Sequence, residues 1–327
     1  MEYGFALATR GPMATPEALA ILSGRGEQLG FDIISLSDHI VIPRNFRSRY
    51  PYSETGEFIG SGAGIGEASD YLELLATASF LAGHTSRARL LTSVLVVPYR
   101  NPIITAKVLT TIDVLSNGRL TVGCGVGWMR EEFEAVNAPP YDERGAVATE
   151  YIRAYKELWT SDNPSFEGQY CRFADVFFLP APTQKPHPPI WVGGESPAAL
   201  RRAARVGDAW YPVNNNNESP LGTPKQHGEY VSRLRRYAEE AGRDPNDIDL
   251  AYLVNHPAEY LDGEAAFTTN GERRMFTGAP EQIAGDIEAF KSNGVRHIVL
   301  NFQSDDLEET LERMERFAVT VKPIVDD

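Results

Sequence analysis

Residues 186–212 read PHPPIWVGGESPAALRRAARVGDAWYP, and their pattern recurs along the chain. An apolar run ends in two glycines, Ser196 and Pro197 follow, and a helical stretch closes at Gly207 before a second apolar run. Proline loses no hydrogen bond at the first position of a helix, and glycine just past its end tolerates a left-handed turn. This stretch therefore predicts a strand, a helix and a second strand in close succession.

The same order of proline, helix, glycine and apolar run appears four more times. The helices are predicted to begin at Pro16, Pro102, Pro224 and Pro280, and to close at Gly30, Gly118, Gly242 and Gly294. Mostly apolar runs suit strands that are buried on both faces of a parallel sheet, and they lie at 3–8, 32–37, 90–97, 119–124, 189–193, 208–213, 248–254 and 295–302. This alternation predicts an α/β fold, and the number of units favours a (β/α)8 TIM barrel over an open sheet.

The length of the chain fits one such barrel with insertions, so we expect a single domain over residues 1–327. Three segments fall outside the repeat, at about 39–67, 161–188 and 255–279. The first and third directly follow strands, where barrel enzymes place their catalytic loops. The second is rich in proline and aromatic residues and is a candidate for a small hairpin.

Composition narrows the partners and the location. The net charge of −14 argues against nucleic acid or an anionic membrane as the main partner. No apolar run approaches the length of about 20 residues that spans a bilayer, and the first residues do not resemble a signal peptide. Because only Cys124 and Cys171 are present, reduced thiols in a cytoplasmic protein are the simplest interpretation. No His, Cys or carboxylate cluster has metal-ligand spacing, so no metal is predicted.

Alternating glycines at Gly123, Gly125 and Gly127 raise the question of a dinucleotide-binding fold. A Rossmann fingerprint needs G-x-G-x-x-G and an acidic residue at the end of the next strand. Here Trp128 takes the last glycine position and the next strand ends in two glycines, so a nicotinamide-binding unit is disfavoured. Two interpretations stay open: the glycines admit a flat ring close to the backbone, or they form an ordinary turn that packs a helix against a strand.

Two other strand ends carry groups suited to chemistry. Asp38 and His39 directly follow a strand, and histidine titrates near neutrality and can transfer a proton. A loop-capping aspartate beside a buried histidine would give the same sequence. The turn 193–196 precedes a helix N-terminus, which favours anions such as phosphate, and we prefer that interpretation to an ordinary capped turn.

Three arginines, Arg44, Arg47 and Arg49, crowd the first insertion of an otherwise acidic chain. Guanidinium groups bind carboxylates and phosphates well, so these residues are candidates for receiving an anionic substrate or cofactor tail. A solvated loop with some ion pairs is the preferred alternative.

Taken in order, five stretches resemble the bacterial luciferase-like family, most of all its flavin/deazaflavin oxidoreductase branch. They are SDHI (37–40), LLTSVLVVPYRNP (90–102), LTVGCGVGWMREEFEA (120–135), PYDERG (140–145) and residues 186–212. The resemblance spans nearly the whole chain. It implies a (β/α)8 barrel that holds a flavin-type ring at the carboxyl ends of its strands, and it implies a homodimer.

The resemblance also assigns roles to residues. A bulge with a non-prolyl cis peptide between Ser93 and Val94 would support the ring, His39 would be the catalytic acid/base, and Asp38 would contact the cofactor. The remaining cofactor-binding residues would line the ring or hold its phosphate, and they are Gly125, Val126, Gly127, Trp128, Gly193, Gly194, Glu195 and Ser196. Sugar-phosphate dehydrogenases of this family carry a glutamate directly after the glycine stretch. Trp128 stands there instead, which disfavours a sugar phosphate and would offer an aromatic wall to a planar or apolar substrate.

The function implied by the resemblance is hydride transfer between deazaflavin coenzyme F420 and a small organic substrate. A reduced-FMN-dependent monooxygenase that uses O2 is the alternative within the family, since FMN also presents a tricyclic ring and a phosphate. A non-catalytic flavin-binding protein is the alternative from another class.

Overall fold

A computed structural model describes residues 1–53, 56–58, 70–255, 263–267 and 271–326. The strands in this part of the chain are β1 (Glu2–Ala6), β2 (Ile33–Leu36), β3 (Arg89–Thr92), β4 (Leu95–Val96), β5 (Leu120–Gly125), β6 (Phe166–Glu167), β7 (Arg172–Phe173), β8 (Ile190–Gly193), β9 (Ala209–Tyr211), β10 (Asp249–Val254) and β11 (Val295–Leu300). A strand occurs in every one of the eight runs that the sequence marks as apolar, which confirms the predicted order of the sheet elements.

These strands close into a parallel barrel. The order around it is β3-β2-β1-β11-β10-β9-β8-β5, and the ring closes because β5 pairs with β3 as well as with β8. β4 continues β3 alongside β5 after a cis peptide bond between Ser93 and Val94, where the family resemblance places one. The fold is therefore the predicted (β/α)8 barrel.

Helices alternate with the strands on the outside. They are α1 (Pro16–Gln28), α2 (Leu74–His84), α3 (Pro102–Leu115), α4 (Arg130–Ala135), α5 (Arg144–Thr160), α6 (Pro197–Val206), α7 (Pro224–Glu240), α8 (Pro280–Ser292), α9 (Leu307–Arg316) and α10 (Lys322–Asp326). Each helix that was predicted from a proline begins at that proline. In four of them the preceding side chain caps the first turn, and these caps are Thr15, Asn101, Ser196 and Thr223.

The glycines after these helices serve two different purposes. Gly30, Gly118, Gly242 and Gly294 have positive φ angles, as the left-handed turn requires. The same expectation is wrong for Gly207, whose φ is −85°. A Cβ there would lie 2.9 Å from the carbonyl oxygen of Ala203 and 3.0 Å from the side chain of Val192, so Gly207 is needed for close packing between α6 and β8.

Apolar side chains fill the barrel and the layer between strands and helices. Inside the barrel lies a small cluster of side chains from alternate strand positions, comprising Ile33, Leu91, Trp191, Ala209, Tyr211, Ala251 and Val299. A larger cluster packs the outer faces of the strands against the helices. Two packed layers of this kind leave the carboxyl ends of the strands as the place where loops can build a site.

The predicted insertions have different outcomes. Segment 161–188 contains the hairpin β6–β7, with Phe166 opposite Phe173, which confirms the proposed hairpin. The insertions at 39–67 and 255–279 are described only over 39–53, 56–58, 255, 263–267 and 271–279, and their other residues lie outside the described part. Both cysteines are buried free thiols. Within the described ranges, no helix is both long and apolar enough to cross a membrane.

Candidate active site

A cavity of about 700 Å³ lies at the carboxyl ends of the barrel strands. All the site residues proposed from the sequence line it, namely Asp38, His39, Ser93, Val94, Gly125, Val126, Gly127, Trp128, Gly193, Gly194, Glu195 and Ser196. The structure thus brings four separate strand ends to one place, while the binding roles of these residues stay predictions. The size suits a drug-sized ligand or cofactor ring with a small second molecule.

His39 is held by a buried carboxylate. Its Nδ1 lies 2.6 Å from Oε2 of Glu132, and that oxygen also accepts a hydrogen bond from the Tyr99 hydroxyl at 2.9 Å. The other oxygen of Glu132 accepts from the backbone N–H of Ile40 at 2.7 Å. A carboxylate on Nδ1 fixes the tautomer and the ring orientation, which leaves Nε2 as the nitrogen that can exchange a proton. Nε2 has no hydrogen-bond partner in the described part of the chain.

Glu132 is one of the site residues that the sequence analysis did not single out. Its side chain is fully buried, and burial alone would raise its pKa. The hydrogen bonds and charge of His39, with those from Ile40 and Tyr99, outweigh burial and hold the pKa of Glu132 below its usual range. The carboxylate therefore stays ionised beside the imidazole. The sequence does not distinguish Glu132 from Glu131 and Glu134, because all three are glutamates in the same short helix, α4.

Aromatic side chains surround His39 and form what we call the aromatic cage, comprising Tyr50, Phe58, Tyr71 and Trp128. The His39 ring lies 5.2 Å from Phe58 and 5.3 Å from Tyr71 between centroids. Trp128 lies 5.2 Å from Tyr50 and 5.3 Å from Phe58. The first insertion thus supplies two walls of the cage, and Trp128 faces them, so the space beside His39 suits an apolar or planar group.

Protein packing explains the alternating glycines. A Cβ on Gly123 would lie 2.0 Å from the carbonyl oxygen of Thr92, and one on Gly125 would lie 2.3 Å from the Val94 side chain. Gly127 has a φ of 79° and faces Val96 and Phe133. The interpretation as a packing turn is therefore sufficient to explain why glycine is needed. Gly125 and Gly127 still line the cavity, so both interpretations apply to the same residues.

Asp38 is engaged by the protein itself. Oδ2 accepts from the backbone N–H of Val96 and from Arg100 Nη1, both at 2.8 Å, and Oδ1 accepts from Arg100 Nη2 at 2.7 Å. Arg100 also pairs with Glu73 at 2.7 Å. These bonds give Asp38 the loop-capping role of the alternative interpretation. They anchor the segment beyond the Ser93–Val94 bulge, and a cofactor contact by Asp38 stays a prediction.

The turn at 193–196 lines the cavity, which also contains two cations that the sequence did not reveal. Ser196 is exposed and its hydroxyl accepts from the N–H of Ala199 at 3.2 Å, as a helix cap does. Arg144 and Arg202 line the same cavity. Among the described residues, Arg144 Nε is a buried donor without a partner, and Arg202 donates only to Thr149 and to the Gly145 carbonyl. We call this group of turn, helix terminus and two guanidinium groups the anion anchor.

Glu195 lies within the anion anchor but is buried. Its carboxylate accepts from the N–H of Val213 at 2.8 Å and from the Asn216 amide at 2.6 Å. Burial raises the pKa of Glu195 to about 7, against the opposing effect of these hydrogen bonds. The group is therefore partly protonated near neutral pH, which reduces its repulsion of an anion next to it.

The three arginines of the first insertion separate in the structure. Arg49 lines the cavity, whereas Arg44 and Arg47 are exposed and lie outside its lining. The backbone N–H of Arg47 donates to Glu131 at 2.6 Å, which holds the insertion against α4. For Arg44 and Arg47 the structure favours the solvated-loop interpretation.

Comparison with known proteins gives the family. The family model of luciferase-like monooxygenases matches residues 1–258. The chain belongs to this family. It is 31% identical over 304 residues to an FMNH2-dependent dimethylsulfone monooxygenase of Pseudomonas putida, with 80% of this chain and 81% of that protein covered. It is also 30% identical over 291 residues to an uncharacterized protein of Mycobacterium tuberculosis, with 89% and 96% covered.

Solved structures share the luciferase-like fold over the whole chain. The monooxygenase RslO1 from Streptomyces bottropensis has a TM-score of 0.73 at 23% identity, with 99% of each chain covered. An F420-dependent secondary alcohol dehydrogenase has a TM-score of 0.74 at 20% identity, with 100% of this chain and 99% of that chain covered. The family comprises flavin- and F420-dependent oxidoreductases and monooxygenases that act on small molecules.

Proposed function

We propose that this protein transfers a hydride between deazaflavin coenzyme F420 and a small organic substrate, with His39 as the acid/base. The observation that carries the proposal is the His39–Glu132 pair, held at 2.6 Å at the edge of a cavity that also contains an anion anchor. F420, when bound, supplies the hydride chemistry. The chain supplies orientation, a proton and a largely water-free pocket.

The residues present fit a ring with an anionic tail. Arg144 and Arg202 are cations without a carboxylate partner in the described part of the chain, and the unpartnered Arg144 Nε needs an acceptor. The α6 N-terminus adds free N–H groups and a partial positive charge. These groups would hold the tail, while Ser93, Val94 and the segment Gly125–Trp128 would lie against the ring.

The proton step belongs to His39. Glu132 holds Nδ1, so Nε2 is the nitrogen that can give a proton to the substrate when the hydride reaches it, or take one when the hydride leaves it. The aromatic cage places apolar ring surfaces around this position. A substrate carbonyl beside Nε2 would gain the proton at its oxygen when the hydride arrives at its carbon.

The second candidate function is an FMNH2-dependent monooxygenase that uses O2. It is favoured by the 31% identity to the dimethylsulfone monooxygenase, which is higher than the identity to the F420-dependent alcohol dehydrogenase. The same cavity, anion anchor and histidine would serve it. The homodimer, the cytoplasmic location and the single domain implied by the sequence stay predictions.

A cofactor titration tests the proposal. Purified protein is titrated with F420 and with FMN, each oxidised and reduced, and binding is followed by cofactor fluorescence. We expect F420 to bind at least about tenfold more tightly than FMN, and Arg202→Met to weaken F420 binding by a similar factor because a charge-assisted hydrogen bond is lost. Arg153→Met, at an exposed position of α5, is the matched control.

Other outcomes of the titration separate the alternatives. Tight FMN binding with O2 consumption in the presence of an organic substrate would support the monooxygenase instead. Tight binding of either cofactor with no turnover on a broad panel of alcohols, aldehydes and ketones would support a non-catalytic flavin-binding protein.

A further inference from the structure

Arg10 is a cation of the cavity that the proposed function does not yet use. It is half-buried just after β1 and lines the cavity. Its backbone is fixed on both sides, because Leu72 N–H donates to the Thr9 carbonyl at 2.8 Å and Gly11 N–H donates to the Asp70 carbonyl at 3.0 Å. The guanidinium group therefore starts from a rigid position at the rim of the barrel.

No carboxylate neutralises Arg10 in the described part of the chain. Its guanidinium lies over the Phe58 ring, 5.6 Å from the centroid, and this cation–π contact is its only direct side-chain partner there. Arg100, which follows β4, pairs with two carboxylates instead. The donors of the Arg10 guanidinium are therefore available to an anionic ligand in the cavity.

Arg10 lies at the His39 end of the cavity and not at the anion anchor. Phe58, which it covers, lies 5.2 Å from the His39 ring and 5.3 Å from Trp128. Its backbone pairs with Tyr71, a second member of the aromatic cage. The anion anchor has its own cations in Arg144 and Arg202. Arg10 and the two cations of the anion anchor therefore lie in different parts of the cavity.

We propose that Arg10 binds a carboxylate on the substrate, and that the aromatic cage holds the substrate's apolar or aromatic body beside His39. This assignment rests on the proposed function only for the reaction that follows binding. A guanidinium matches a carboxylate with two parallel hydrogen bonds, and it keeps its contact with Phe58 while doing so. The substrate is then an organic acid with a planar or apolar body.

The test uses benzoate as the probe and benzamide as its uncharged match. Binding to the full-length protein is measured by calorimetry, with and without saturating cofactor. We expect benzoate to bind about tenfold to a hundredfold more tightly than benzamide. Arg10→Met should remove this preference, Arg10→Lys should keep part of it, and Arg153→Met should leave it unchanged. Circular dichroism and cofactor titration of each variant show whether the fold and the cofactor site are intact.

Three results would overturn the assignment. These are undetectable benzoate binding, equal affinity for the two probes, and a preference for benzoate that survives in Arg10→Met. A loss of F420 or FMN affinity of about tenfold in Arg10→Met, with the benzoate preference retained, would assign Arg10 to the cofactor tail instead. If neither cofactor binds but the benzoate preference depends on Arg10, the proposed function fails and this assignment stands.

Discussion

His39 and His227 are both buried histidines, yet their surroundings differ completely. His39 lies at the barrel rim with a carboxylate on Nδ1 and a side chain that is 10% exposed to the cavity. His227 lies in α7 with no exposed surface, and neither ring nitrogen has a hydrogen-bond partner among the described residues. It stacks on Trp210 at 5.6 Å and lies 5.4 Å from Phe290.

The difference separates the histidine that we propose for proton transfer from one that serves packing. Burial without a partner disfavours the charged form and lowers the pKa of His227 to about 4, so this ring stays neutral and acts as an aromatic filler. His39 differs because its Nδ1 contacts the buried carboxylate of Glu132 and its ring lines the cavity. A partner and an opening, not burial alone, make a histidine useful for proton transfer.

Replacing His39 should have the largest effect. We expect His39→Ala to lower turnover by about a hundredfold or more, since general acid/base catalysis contributes at least that much. Cofactor affinity should stay nearly unchanged because the anion anchor is intact. Steady-state kinetics and a cofactor titration measure the two quantities. His227→Phe serves as the control for loss of a buried histidine, and turnover of His39→Ala within threefold of wild type would remove His39 from the mechanism.

Replacing Glu132 should have a smaller effect of the same kind. Glu132→Gln keeps the size but removes the charge, so His39 loses the carboxylate that fixes its tautomer. We expect kcat to fall about tenfold to a hundredfold with KM and cofactor affinity little changed. Glu132→Asp should restore part of kcat. A loss confined to thermal stability, with kcat unchanged, would mean that Glu132 only anchors the Ile40 loop.

His227 should affect stability and not turnover. With a pKa of about 4 in the folded state, His227 stays neutral while the same histidine in the unfolded chain takes up a proton below its ordinary pKa of about 6.5. Stability is therefore lost as the pH falls from about 6.5 towards 4, by about 2 kcal/mol at pH 5. His227→Phe should remove this loss in urea unfolding at pH 5 and pH 8.

Phe290→Leu is the matched control for that measurement. It weakens the same aromatic cluster but keeps the titrating ring, so its unfolding free energy should fall at both pH values with the pH dependence retained. An identical pH dependence in His227→Phe and wild type would contradict the assignment of the acid sensitivity to His227.

Short-range sequence patterns were sufficient to predict the barrel architecture. Proline after a capping residue marked the starts of α1, α3, α6 and α7, and apolar runs marked every barrel strand. These signals are readable because caps and strand burial depend on residues within a few positions of one another. Gly207 does follow the end of α6 as predicted, but it is needed for close packing against β8 and not for a left-handed turn.

The strand-end positions of the site were also readable, because a barrel places every such position at one rim. The side chains that contact these positions could not be predicted from the sequence. Glu132 reaches His39 across 93 positions, Arg144 and Arg202 come to the anion anchor from different helices, and Arg10 is one of many arginines in the sequence. The sequence alone determined where the barrel strands end and which residues lie at that rim. Only the tertiary structure decided which carboxylate holds the histidine and which cations have no partner, because charge pairing depends on distance in space and not along the chain.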